Sequence, residues 1–189
     1  MRVIGLAGWS GAGKTTLLLR LIPELAGRGV AVSTVKHAHH AFEVDEPGKD
    51  SFEHRAAGAR EVLVASERRW ALMHELRAEP EPGLAELLAR LSPVDLVIVE
   101  GFKAAAHPKI EVHRAANRKP FLFRDFPEIR AIASDSPVPH APVPIVGLDE
   151  IESLADLIER IAEPVDEVMA RLLNRAGAAG EIAGGPEEQ

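Results

Sequence analysis

The stretch Gly8-Trp9-Ser10-Gly11-Ala12-Gly13-Lys14-Thr15 decides the fold. It fits G-x-x-x-x-G-K-[ST], and its surroundings fit as well. The apolar run Val3-Ile4-Gly5-Leu6-Ala7 before it reads as a buried strand of a parallel sheet. After it, Thr15–Arg28 carries apolar residues at 17, 18, 21, 22 and 25, one face of a helix that tolerates Pro23 as a kink. Gly27 and Gly29 stop that helix, and Val30–Val35 reads as a second strand. Strand, glycine turn, helix and strand make a βαβ unit. The glycines let successive backbone N–H groups turn inward on phosphate oxygens, with the helix N-terminus adding partial positive charge. Lys14 is then the point charge on the β- and γ-phosphates, and the Thr15 hydroxyl is a ligand for Mg²⁺.

Beyond the unit, the purest apolar run is Val94-Asp95-Leu96-Val97-Ile98-Val99, which ends in Glu100-Gly101. A carboxylate at the carboxyl end of a neighbouring strand is where such proteins hold magnesium, so Glu100 joins Thr15 as a metal ligand. Asp95 lies at the wrong end and reads as a strand-start carboxylate. The polar stretch Lys36–Asp50 follows the second strand and faces the same crevice. Within it Lys36 or Lys49 is a candidate phosphate contact, Asp45 or Asp50 a candidate magnesium ligand, direct or through water, and Asp45 or Asp50 a candidate catalytic carboxylate. Asp50-Ser51-Phe52-Glu53 also reads as a capping box. His37, His39 and His40 suit a transition metal by chemistry, but no ligand spacing specifies one.

The remaining elements are coarser. Glu61–Ala65 and Arg69–Leu76 suggest an antiparallel hairpin and a strand-addition surface. Leu84, Leu87, Leu88 and Leu91 mark a helix; Ile110–His113, Glu128–Ala133 and Ile145–Leu148 mark weaker strands. A helix capped by Asp149 carries Leu154, Leu157, Ile158 and Ile161 on one face, and Val165–Leu173 resumes it after Pro164. The expected architecture is a three-layer α/β fold like that of P-loop nucleotide hydrolases, with a mainly parallel sheet and an added antiparallel hairpin. The nucleotide-binding domain spans 1–163. A C-terminal extension, 164–189, starts helical and becomes disordered from Ala176, where Gly, Ala and Glu dominate.

Composition excludes other classes. Without cysteine there is no disulfide scaffold, thiolate metal site or cysteine nucleophile. A formal charge of −7 argues against nucleic acid as a partner. No run approaches the ~20 apolar residues of a membrane span, and no targeting segment is apparent, which leads to the expectation of a cytoplasmic protein.

The base is harder to read. The Asn-Lys-x-Asp guanine motif is absent, and Asn117-Arg118-Lys119-Pro120 does not replace it. Asp135, closing Ala131-Ile132-Ala133-Ser134-Asp135, is a carboxylate able to accept from guanine N1–H and the exocyclic amine, or simply a turn start. Three functions fit the loop: a nucleotide-binding adaptor, a small-molecule kinase with its base among Asp45, Asp50 and His37, and a metallochaperone GTPase using the histidines.

Several segments together resemble one family. Gly8–Thr16, Thr34-Val35-Lys36-His37-Ala38-His39-His40 with Phe42 and Asp45, Pro47-Gly48-Lys49-Asp50-Ser51, Ala57-Gly58-Ala59, Arg69-Trp70-Ala71-Leu72-Met73 and Val99-Glu100-Gly101-Phe102-Lys103 look like the MobB family of molybdopterin-guanine dinucleotide biosynthesis adaptors. The resemblance implies a homodimeric GTP-binding protein with weak GTPase activity. It implies phosphate contacts along Gly11–Thr16 and magnesium at Thr15 and Glu100. The partner it implies is the guanylyltransferase MobA, which attaches GMP to molybdopterin.

Overall fold

The computed structural model describes residues 1–38 and 42–183, with the backbone alone from 176 onward. The described chain divides into two compact units, Met1–His37 with Leu84–Gln189, and Ala38–Gly83.

The larger unit is built on strands β1 (Arg2–Ala7) and β2 (Val32–Lys36), joined by α1 (Lys14–Gly27). Then come α3 (Leu84–Ala89), after α2 of the smaller unit, and β5 (Leu96–Glu100), β6 (Lys109–His113), β7 (Ile129–Ser134), β8 (Ile145–Gly147), α4 (Ile151–Ile161), β9 (Glu163–Pro164) and α5 (Val165–Ala183). The sheet order is β2-β5-β1-β6-β7-β8, parallel throughout, while β9 pairs antiparallel with the start of β1. Pro23 lies within α1 on its solvent side and does not interrupt it.

One face of the sheet packs Ile4, Leu6, Ile98 and Val112 against Leu17, Leu21 and Leu25 of α1 and Leu154, Leu157 and Ile158 of α4. Each such buried side chain is worth about 2 kcal/mol. The opposite face packs Val3, Val97 and Val99 against Leu84 and Leu88 of α3 and Val168 of α5. Residues 164–175, read from sequence as an extension, are therefore structural here: Val165 donates its amide to the Met1 carbonyl at 3.0 Å, and Val168 is fully buried. The helix does not resume α4 either, since β9 separates the two, and its backbone continues to Ala183 where sequence predicts disorder from Ala176. Asp149 is not a cap: Glu150 holds the N-cap position of α4, and Asp149 pairs instead with Arg20 at 2.6 Å.

Strand β6 departs most from its sequence pattern. Sequence marks only Ile110–His113, as a weaker strand, but the strand runs Lys109–His113 and all five residues are buried. Lys109 donates to the carbonyls of Ala105 and His107, and burial lowers its pKa to about 8. Glu111 accepts the Leu122 and Phe123 amides at 2.7 and 2.9 Å, while desolvation raises its pKa. Neighbouring His107 is fully buried with both ring nitrogens unpartnered among the described residues. Burial, reinforced by Lys109, holds its pKa near 3.

Because the fold keeps His107 neutral while the unfolded chain protonates near pH 6.5, stability present above that pH is lost as pH falls toward 3, by about 1.4 kcal/mol per unit. Between pH 6.5 and 5, H107L should therefore gain about 2 kcal/mol on the parent in urea unfolding. An unchanged parent–variant gap would refute this role.

The smaller unit holds α2 (Asp50–Ala56) and the antiparallel pair β3 (Glu61–Ala65) and β4 (Trp70–His74), a separate two-stranded sheet. No capping box forms: Lys49 is the N-cap without a side-chain hydrogen bond, and Asp50 lies in the first turn. Leu63 and Leu72 face each other across the ribbon, and both, like Trp70, are exposed.

Candidate functional site

Parallel register gathers the chemistry. Leu6 of β1 and Lys36 of β2 both sit level with Glu100 of β5, so the three strands deliver Gly8, Lys36 and Glu100 to one end of the sheet. At Gly8 an added Cβ would lie 2.5 Å from the Val112 carbonyl oxygen, and Gly11 and Gly13 have φ of 77° and 90°, the left-handed region that favours glycine. The loop thus curls back onto α1. No acidic residue occupies the first turn of that helix, so its positive end is left for a ligand's charge.

The Lys14 ammonium arches over the loop, donating to the Gly8 and Trp9 carbonyls at 3.1 and 3.2 Å. Burial lowers its pKa foremost; Glu100 opposes that shift, and Lys103 and Lys36 add to it. The Thr15 hydroxyl donates to Glu100 Oε1 at 3.2 Å. Two hard oxygen donors from different elements meet there, a donor set that fits Mg²⁺. Gly101, at φ 102°, lets the chain pass His37, whose amide donates to the Glu100 carbonyl at 2.9 Å.

A wall that sequence reading missed closes the other side of the loop. Arg114 lies against Gly13, where a Cβ would come within 2.9 Å of its Nε. Asn117 donates from Nδ2 to the Ser10 carbonyl at 3.2 Å, and Trp9 donates from Nε1 to Pro120 at 2.8 Å. Asp135 clamps this wall by accepting the Ala115 amide at 2.9 Å. The available signal was positional: Arg114–Lys119 follows the carboxyl end of β6, where an open α/β sheet places its ligand loops.

Asp45 belongs to the smaller unit, and its two oxygens take the Arg55 guanidinium at 2.5 and 3.3 Å, which holds its pKa below the usual carboxylate value. The structure thus gives Asp45 an ion-pair role; Glu43 and Glu75 complete the set around Arg55. Asp50 sits at the head of α2. His39 and His40 lie outside the described residues. His37 packs at a tilt of 37° against Phe102, ring centroids 4.8 Å apart, and no group of three potential ligands gathers among the described residues. Nor is any described helix long and apolar enough to cross a membrane.

Fold and loop together define a P-loop nucleotide-binding protein of three-layer α/β architecture. The family model for molybdopterin guanine dinucleotide synthesis protein B, MobB, matches residues 3–135. A molybdopterin-guanine dinucleotide biosynthesis adapter protein of Escherichia coli is 44% identical over 160 residues, covering 82% of this chain and 90% of its own. One from Haemophilus influenzae is 41% identical over 160 residues, covering 83% and 87%. A crystal structure of molybdopterin-guanine biosynthesis protein B superposes with a TM-score of 0.66 at 31% identity, over 84% of this chain and 97% of that one. The chain belongs to the MobB family.

Proposed function

We propose that the chain serves molybdopterin guanine dinucleotide biosynthesis as an adaptor that binds GTP with Mg²⁺ in the loop Gly8–Thr16. The contact between Thr15 and Glu100 carries this reading, because it sets two oxygen donors beside the Lys14 ammonium at the helix N-terminus. In this reading the loop amides and Lys14 bind the β- and γ-phosphates, Lys36 neutralises charge from the neighbouring strand end, and Thr15 and Glu100 hold the metal. Bound Mg²⁺ would supply charge neutralisation at the phosphate oxygens. Asp135, at the carboxyl end of β7, is the carboxylate for guanine. Hydrolysis is weak, for no glutamine adjoins Glu100-Gly101 to orient water. The apolar outer face of β3 and β4, with Leu63, Trp70 and Leu72, is the surface for a homodimer, and the guanylyltransferase MobA is the partner, in the cytoplasm. Molybdopterin itself is the second ligand.

Titration calorimetry with GTP and with ATP, each with and without Mg²⁺, on the parent and E100Q tests the reading. GTP should bind more tightly than ATP, and E100Q should keep nucleotide binding while losing most of its magnesium dependence. Equal magnesium dependence in both proteins removes Glu100 from the metal site; an ATP preference with rapid transfer to a metabolite favours a kinase.

A further inference from the structure

Two ammonium groups beside the phosphate loop have no part in the nucleotide contacts proposed above. Lys103 Nζ lies 4.8 Å from the centroid of the Trp9 ring and Lys119 Nζ 5.7 Å from it. Trp9 is itself the second residue of the loop. Among the described residues neither lysine makes an ion pair, in a chain with 29 acidic residues. A solvated lysine gains little from remaining near a like charge, yet Lys103 is close enough to Lys14 to depress its pKa. The repulsion is built in rather than neutralised.

The ring that holds these charges is fixed. Its indole N–H is bonded to Pro120, and it packs with Leu122 and Phe126 in a small apolar cluster. Leu122 and Phe123 are in turn anchored through their amides to the buried Glu111 carboxylate. Lys119 and Lys103 therefore flank a platform whose position is set by the central sheet.

We propose that Lys103 and Lys119 form a second anion subsite beside the phosphate loop, and that it takes a phosphomonoester while the nucleotide occupies the loop. This rests on the nucleotide reading above. The charge count favours a dianion: the helix terminus, Lys14, Lys36 and a cation held by Thr15 and Glu100 match a triphosphate, which leaves the two ammonium groups at Trp9 for another ligand. A phosphomonoester carries about −1.5 to −2 at neutral pH. The product of the family's pathway is a dinucleotide, whose two halves are joined through phosphates, so the half that meets the guanine nucleotide brings a phosphate of its own. A subsite on the loop's second residue places that phosphate next to the nucleotide.

The test is a calorimetric titration of phenyl phosphate into protein saturated with Mg²⁺ and a non-hydrolysable GTP analogue. Saturable binding is expected in the parent, weakened about tenfold in K119Q, a change at an exposed position that leaves the fold intact. The analogue itself should bind K119Q within twofold of the parent. Phenyl phosphate displaced by the analogue, or bound equally by parent and K119Q, overturns the subsite. So does an analogue affinity that falls along with that for phenyl phosphate, which would assign Lys119 to the nucleotide. Should the analogue fail to bind the parent, the loop reading fails separately. Titration without nucleotide then decides the subsite: affinity kept in K14A and lost in K119Q supports it, and the reverse refutes it.

Discussion

Alanine in place of Lys14 is expected to weaken GTP binding at least about a hundredfold, which corresponds to roughly 3 kcal/mol for a charge removed from opposite a buried polyanion. The fold should survive, because in the proposed reading the ammonium serves the ligand and gives the protein little. Its hydrogen bonds run to two loop carbonyls, while burial, Lys103 and Lys36 all act against its charge and Glu100 alone favours it. Deleting it thus removes an electrostatic burden along with two modest bonds, and the thermal midpoint should move by no more than about 3 °C. Calorimetry and a melting curve on the same sample check both halves. Unchanged GTP affinity would remove the loop from the site; a collapsed fold would make Lys14 a structural residue.

G8A should have the opposite character. The added Cβ would meet the Val112 carbonyl oxygen at 2.5 Å, and a backbone atom in the central strand β6 has no rotamer by which to yield. Either β1 and β6 separate at the loop or the loop changes course, and we expect a loss of about 3 kcal/mol, with the midpoint falling about 10 °C. GTP binding should disappear with it, since in the proposed reading the loop amides that bind the phosphates start at this residue. G27A is the matched control: it lies in α1, an added Cβ there meets nothing within 4 Å, and the change should be neutral or slightly stabilising. Equal midpoints for G8A and G27A would show that the loop is not held against β6.

These two residues also mark what sequence discloses and what it does not. The phosphate loop, β1, β5 and the Glu100 position were legible because each is a local pattern: an apolar run, a glycine spacing, a carboxylate at a strand end. The helix periodicities of α1 and α4 were legible for the same reason, though their boundaries shifted by a residue or two. Strand β6 is only weakly marked in sequence because Lys109, Glu111 and His113 look like solvent-facing residues. Each is buried through a partner distant in sequence or supplied by backbone: carbonyls of the preceding turn for Lys109, amides eleven and twelve residues on for Glu111, and the Lys119 carbonyl with the Phe121 ring for His113. Alternation alone cannot separate a wet face from a satisfied dry one. The ion pair of Asp45 is hidden from sequence for a related reason. A carboxylate in a loop looks available until Arg55, ten residues later on α2, is seen to hold both its oxygens. The task of Asn117 in bracing Ser10 depends on how β6 sits beside β1, which no spacing rule reveals.

The pairing of β9 with the first residues of β1 bears on how the protein is made. Arg2 and Val3 find their antiparallel neighbours only in Glu163 and Pro164, and the valine that seals the cluster around Val3 is residue 168. On the ribosome, then, the amino-terminal half of β1 can pair with β5 once Leu96–Ile98 have emerged, but its other edge stays open until Glu163 and Pro164 follow, whereas the hairpin of the smaller unit draws only on nearby residues and closes as soon as it is synthesised.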